Sequence, residues 1–179
     1  MPKIHDITLA GTDSVLVHRA SKVRFFDKTL KDLIQDMFLT MDAKRGVGLA
    51  APQIGLPYQI AVVKPEGLVI INPKVVSAEG LRIMDEGCLS IPDVAGKVPR
   101  SRKLVFDAQD ENGKHYRIKA EDNLLAHVCE HEIDHLFGVL FFHRIQKYHN
   151  RIKNAINSKG IAEKLLAARG EQGVSQPST

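Results

Sequence analysis

The stretch His131-Glu132-Ile133-Asp134-His135 constrains this chain more than any other. Two histidines four apart on a helix differ by roughly 40° in direction and about 6 Å in height, so both imidazoles can reach one ion. A carboxylate directly after the first histidine can contact water held by that ion. Leu124, Val128, His131 and His135 follow i, i+4, i+7, i+11, which carries the histidines along an apolar stripe facing the core. Imidazoles aimed inward need partners. A shared metal supplies one for both, whereas the blander alternative is a helix with two hydrogen-bonded core histidines. Asp122 reads as the N-cap of this helix and Gly138 as its C′ residue. The helix offers two ligands, and a catalytic site needs a third from elsewhere.

A zinc endopeptidase would find that ligand downstream. One such pattern wants a histidine at position 141, which is Phe141, and His143 misses by two places, well off the required face. The other wants a downstream carboxylate on a buried helix, yet Glu163 and Glu171 lie in a basic tail without apolar context. Upstream, Cys88 lies 43 residues before the first histidine (131 − 88), in a glycine-flanked turn after a strand. Cys-His-His with one open position makes a reasonable catalytic metal site. The chain has two cysteines, and both Cys88 and Cys129 lie beside this chemistry, which favours reduced thiols over a disulfide.

Around that centre the chain reads as an α+β protein, with antiparallel β-sheets surrounding the metal-binding helix, an N-terminal helix and a C-terminal helix. Leu30, Leu33, Ile34, Met37, Phe38 and Met41 keep helical spacing behind a possible Asp27 N-cap, predicting a helix over 27–45. Val15-Leu16-Val17 reads as extended. Tyr58 to Lys64 and Leu68 to Asn72 read as a hairpin about Pro65-Glu66-Gly67, and Val75 to Arg82 as another extended segment. Pro92 to Gly96 reads as a loop and Val98 to Asp107 as a strand. Asn112-Gly113 leads into a further strand, and Val139 to Phe142 reads as a short buried one. With 179 residues, a single catalytic domain is expected over 1–179. Its core spans about 1–147, followed by a basic C-terminal helix over 148–169 and a disordered tail over 170–179. No apolar run reaches the roughly 18 residues of a membrane span, and the N-terminus has no signal-peptide core.

Three motifs then coincide. Gly46-Val47-Gly48-Leu49-Ala50-Ala51-Pro52-Gln53, Glu86-Gly87-Cys88-Leu89-Ser90 and His131-Glu132-Ile133-Asp134-His135 resemble the three signature motifs of peptide deformylases, in that family's order and spacing. Similarity extends from about Asp13 to Phe142, including Ile71-Asn72-Pro73 and Val98-Pro99-Arg100.

The resemblance implies that Cys88, His131 and His135 bind Fe²⁺, which Zn²⁺, Ni²⁺ or Co²⁺ can replace in purified protein. It implies hydrolysis of the N-formyl group of formyl-methionyl nascent peptides, releasing formate. Glu132 would be the proton carrier, worth roughly 10²–10⁴-fold. The Gln53 amide and Leu89 N–H would stabilise the formyl oxygen. Substrate-binding positions correspond to Val47, Gly48, Met84, Glu86, Leu124, His127 and Val128, with backbone around Gly48 pairing with the extended peptide. Asp134 would hold the second nitrogen of a metal histidine, and Glu86 with Arg100 would form a supporting ion pair. His127, Glu130 and His143 depart from the family, which usually has an aliphatic residue, glutamine and aspartate there. A bacterial, cytoplasmic protein is expected, with no DNA partner and no membrane. Arg151, Lys153, Lys159 and Lys164 suggest a ribosome contact through the C-terminal helix. A non-catalytic, ribosome-associated binding protein is the remaining alternative.

Overall fold

The four residues Ile60-Ala61-Val62-Val63 show what organises the molecule in this computed structural model, which describes residues 2–158. All four are buried, because the strand they form is covered on both faces. Ala61 and Val63 face one apolar cluster, while Ile60 and Val62 face another. This strand, β2 (Ile60–Val63), lies between β1 (Gly48–Ala50) and β3 (Leu68–Glu79). With β6 (Lys103–Gln109) and β7 (His115–Glu121) they form a five-stranded sheet ordered β1-β2-β3-β6-β7, antiparallel throughout. A separate two-stranded antiparallel sheet pairs β4 (Arg82–Cys88) with β5 (Ile91–Arg100).

Helix α1 (Lys28–Ala43) packs Leu30, Ile34, Met37 and Met41 against one face of the large sheet. Its first turn is capped by Asp27, whose carboxylate accepts the Leu30 N–H at 3.0 Å. Helix α2 (Leu124–Leu136) carries the histidine motif on the other face, setting Leu125, Ala126, Cys129, Ile133 and Leu136 among Ala50, Val63, Ile70, Leu104 and Phe106. The sheet thus lies between the two helices. Its strand β3 bends where the register slips between Ile71 and Lys74. Asn72 takes a left-handed conformation there (φ 51°), and its amide exchanges two hydrogen bonds with the Val23 backbone, each 2.9 Å. Pro73 is tolerated at this bulge, where a ladder donor is dispensable.

Several local expectations are corrected. Val15–Val17 lies in a 3₁₀ turn, Ser14–Val17, because the Asp13 side chain caps it by accepting the Val15 N–H at 2.9 Å. The cap of α2 is Asn123, accepting the Ala126 N–H at 2.8 Å; Asp122 is left-handed (φ 50°) and binds Arg102 instead. Residues 92–96 belong to β5: Pro92, Asp93 and Val94 fall in a register slip, while Ala95 and Gly96 pair with Gly87 and Glu86. Val98–Asp107 splits into the end of β5 and the start of β6. Residues 75–79 complete β3, with β4 beginning at Arg82. Val139–Phe142 forms no strand: Leu140 and Phe141 are buried where α3 (Phe141–Ser158) starts, and His143 Nδ1 accepts the Leu140 N–H at 3.1 Å.

Gly138 follows the motif helix with φ 71°, and a Cβ there would lie 2.7 Å from the Val17 backbone. Only glycine fits this crossing. The chain forms two compact units, one ending at Arg144 and one beginning at Ile145, so the boundary expected near residue 147 falls just inside the second. The expected helical stretch through 169, with Lys159 and Lys164, continues outside the described residues, as does the 170–179 tail.

Candidate metal centre

Helix α2 is buried along nearly its whole length from Leu125, with His127 half-buried at the edge of a cleft. One turn apart, His131 and His135 bring their Nε2 atoms within 3.1 Å of each other. Cys88 reaches them from the end of β4. There the β4–β5 register breaks: Gly87 pairs with Ala95, but Cys88 pairs with Ile91 across a tight Leu89-Ser90 turn. The slip aims the thiol at the helix, and Sγ lies 3.3 Å from His135 Nε2. All three donor atoms fall within 4.8 Å of one another, and no other such group occurs among the described residues.

A tetrahedral ion with metal–sulfur near 2.3 Å and metal–nitrogen near 2.1 Å would separate these donors by roughly 3.4–3.6 Å. Two of the three spacings, 3.1 and 3.3 Å, fall a few tenths short and the third is within 4.8 Å, close enough for one divalent ion of borderline softness. Burial keeps His135 well below the usual imidazole range, leaving its ring neutral and able to donate a lone pair. Burial also disfavours a proton on His131, but hydrogen bonding to Cys88 and Glu86 outweighs it and pushes that ring up to about 10. A dication held by this nitrogen would have to displace that proton.

The carboxylate holding a histidine's second nitrogen is Glu86. Its Oε1 lies 2.5 Å from His131 Nδ1, which fixes the tautomer that leaves Nε2 free. Burial would raise the Glu86 carboxyl, yet hydrogen bonds from Arg100, His127 and His131 hold it well below the usual carboxylate range. Asp134, expected in this role, faces the wrong way for it. It binds Arg100 at 2.6 Å and is gripped by both Nε and a terminal nitrogen of Arg144. Arg100, buried without exposure, therefore sits between two carboxylates, and its pairing with Glu86 is an observed contact at 2.6 Å. Glu130 is buried as well, accepting the Ser101 N–H at 2.9 Å, so its effect is structural.

Glu132 differs from every other acid here. It is 3% exposed, its Oε2 has no hydrogen-bond partner, and burial raises its carboxyl to about 7. Gly48 makes room for it: a Cβ at residue 48 would come within 2.8 Å of both Cδ and Cγ of Glu132. Glycine is required there by contact with a side chain, a reason the sequence did not disclose. Gln53 is buried in a 3₁₀ turn after β1. Its Oε1 accepts the Ala50 N–H at 2.8 Å, which turns Nε2 toward Cys88 Sγ, 3.5 Å away. An amide so anchored presents N–H groups to whatever occupies the cleft.

That cleft has a volume of about 620 Å³. Of the residues expected to contact substrate, Val47, Gly48, Glu86, Leu124, His127 and Val128 line it, together with Gln53, Cys88, Leu89, His131 and Glu132. Leu124 is at its exposed rim and does not face the core. Met84 is not among the lining residues; it lies two residues before Glu86 on β4, paired with Val98. Sequence reasoning missed Arg45 and the Pro92–Ala95 wall, and Arg144 behind the centre. The one available signal for that wall was the Pro-Asp-Val-Ala-Gly composition, which marks bulges as well as loops.

Residues 4–151 match the family model for polypeptide deformylase. A peptide deformylase of Chloroflexus aggregans is 42% identical over 151 residues, covering 74% of this chain and 80% of that protein. The crystal structure of peptide deformylase from Thermotoga maritima superposes with a TM-score of 0.75 at 35% identity, covering 79% of this chain and 97% of that one. A Met-Ala-Ser-bound class I type b peptide deformylase from Acinetobacter baumannii gives 0.75 at 27% identity, with 80% and 99% covered.

Proposed function

The chain belongs to the peptide deformylase family, and from that premise we propose how its residues divide the removal of the formyl group from newly made polypeptides. The reaction is a metal-dependent hydrolysis of formyl-methionyl peptides that releases formate. In our reading Cys88, His131 and His135 hold the divalent ion, whose Lewis acidity lowers the pKa of water from about 15.7 towards roughly 7. The observation that carries this reading is the buried, unpartnered Glu132 carboxylate beside the three-donor cluster.

Glu132 takes a proton at Oε2 and delivers it to the leaving amine. The Gln53 amide, turned by its bond to Ala50, donates to the formyl oxygen together with the Leu89 N–H; one such donor is worth about 2.7–4 kcal/mol. Val47, Leu124, His127 and Val128 wall the methionine side chain, while backbone at Gly48 pairs with the extended peptide. Glu86 acts by orienting His131, and Met84, two residues before it on the same strand, stays a proposed contact of the methionine side chain.

We assign Fe²⁺ as the ion in the cell because the family resemblance implies it; a thiolate with two imidazoles accepts Zn²⁺, Ni²⁺ or Co²⁺ as well, and these replace iron on oxidation. Formate release from formyl-Met-Ala-Ser by anaerobically prepared Fe²⁺ protein tests the assignment. The expected result is turnover that exceeds the Zn²⁺ form and leaves the Met-Ala and Ala-Ser bonds intact. Internal cleavage, or no formate from the Fe²⁺ form, would overturn it.

A bacterial cytoplasm is supported by the bacterial relatives and by the two free cysteines, Cys88 and Cys129. No described helix is long and apolar enough to cross a membrane. The basic residues Arg151, Lys153, Lys159 and Lys164 support docking of the C-terminal segment on ribosomal RNA. Ending the chain after residue 147 should weaken sedimentation with ribosomes at least tenfold and leave formyl-peptide turnover unchanged. Equal cosedimentation of the shortened chain removes the docking idea.

A further inference from the structure

Glu86 accepts four hydrogen bonds, two at each oxygen. Arg100 Nη2 and His131 Nδ1 reach Oε1 at 2.6 and 2.5 Å, while Arg100 Nε and His127 Nε2 reach Oε2, both at 2.8 Å. A carboxylate has about four lone-pair sites, so this one is filled. Three of the four donors belong to the framework already described. The fourth, His127, lies one turn before His131 on α2 and also lines the cleft, with 12% of its side chain exposed. An aliphatic residue here would leave Oε2 held from one side only. The carboxylate could then rock about the Arg100 contact and release its aim on His131.

We propose that His127 is a positioning residue that fixes metal ligand His131 through Glu86, joining the wall of the methionine pocket to the metal centre. Its Nε2 must carry the proton that it donates to Glu86. The ring is thereby held in one orientation, and it presents the pocket with a rigid, polar-edged wall. The proposal rests on the assignment of Cys88, His131 and His135 as ligands. It concerns the retention of the ion and does not depend on the substrate.

The test uses Ni²⁺-loaded protein mixed with excess chelator, with metal release followed over time. His127→Ile removes the donor and keeps an apolar wall; His127→Gln can still donate from its amide. Release from the isoleucine variant is expected to be about tenfold faster than from the parent, the lower end for partners that orient ligands. The glutamine variant should stay within about threefold of the parent. A residue that only walls the pocket would shift KM for formyl-Met-Ala-Ser and leave release unchanged. Parental release from the isoleucine variant, or equally fast release from both variants, overturns the proposal. Should the isoleucine protein fail to fold, His127→Leu carries the same comparison. If the parent retains Ni²⁺ but releases no formate, the functional reading fails while the order of release rates still decides this one.

Discussion

Replacing Glu132 by glutamine is expected to cut formate release from formyl-Met-Ala-Ser by about 10²–10⁴-fold with metal content unchanged. The side chain keeps its shape, so the room left by Gly48 still accommodates it. What disappears is the capacity to accept and return a proton at Oε2. Glu132 is not one of the three clustered donors, and stoichiometric metal should survive the change. Nor should stability suffer. Oε2 makes no hydrogen bond that could be lost, and a buried carboxyl pushed up to about 7 is an unfavourable charge to keep. Groups poised for chemistry are commonly held at some cost to the fold. A variant with more than a tenth of parental turnover would refute the role, whereas one without metal would show that Glu132 serves the ion directly.

The second large effect is expected at Cys88. Cys88→Ala leaves two imidazoles, one short of the set that a catalytic site of this kind needs. Metal affinity should fall by more than about 100-fold and formate release to the level of metal-free protein. Elemental analysis after gel filtration reads the first, the formate assay the second. Cys88 is partly exposed to the cleft and outside both apolar clusters, so the metal-free variant should melt within a few degrees of metal-free parent. A zinc endopeptidase built on the same helix would keep its ion after this change. Full metal occupancy in Cys88→Ala would therefore revive that alternative.

The residues that meet at the centre were legible because their chemistry is unusual and their spacing is helical or motif-bound. Two inward histidines one turn apart stand out by helical spacing alone, and Cys88 gains weight beside them, whereas Gln53 after its Gly-x-Gly is a lone amide that only the resemblance to the family picks out. Orientation behind them was not legible. Asp134 follows His131 by three positions and looked able to hold an imidazole; its partner is decided by Arg100, which arrives from β5. Glu86 proved to be the histidine's partner because the β4–β5 pairing carries it back over α2, a long-range fact absent from local sequence. The misread segments have a common cause. Four apolar residues at 139–142 suit a buried strand as well as the anchored start of a helix, and Pro with Gly at 92–96 suits a bulge as well as a loop.

The Cys88 side of the centre belongs to a two-stranded sheet that, among the described residues, hydrogen-bonds to no other strand. Such a pair of strands is at best marginal by itself. On the proposed ligand set, a cation held by Cys88 and by both histidines would tie that ribbon to the central helix across 43 residues of chain (131 − 88). It would then be a removable crosslink as well as a reagent. Loop-closure entropy for such a span amounts to about 4 kcal/mol in the chain-entropy description of crosslinks. Removing the ion would then have two separable costs: the chemistry it supported, and the tether that kept one wall of the cleft in place.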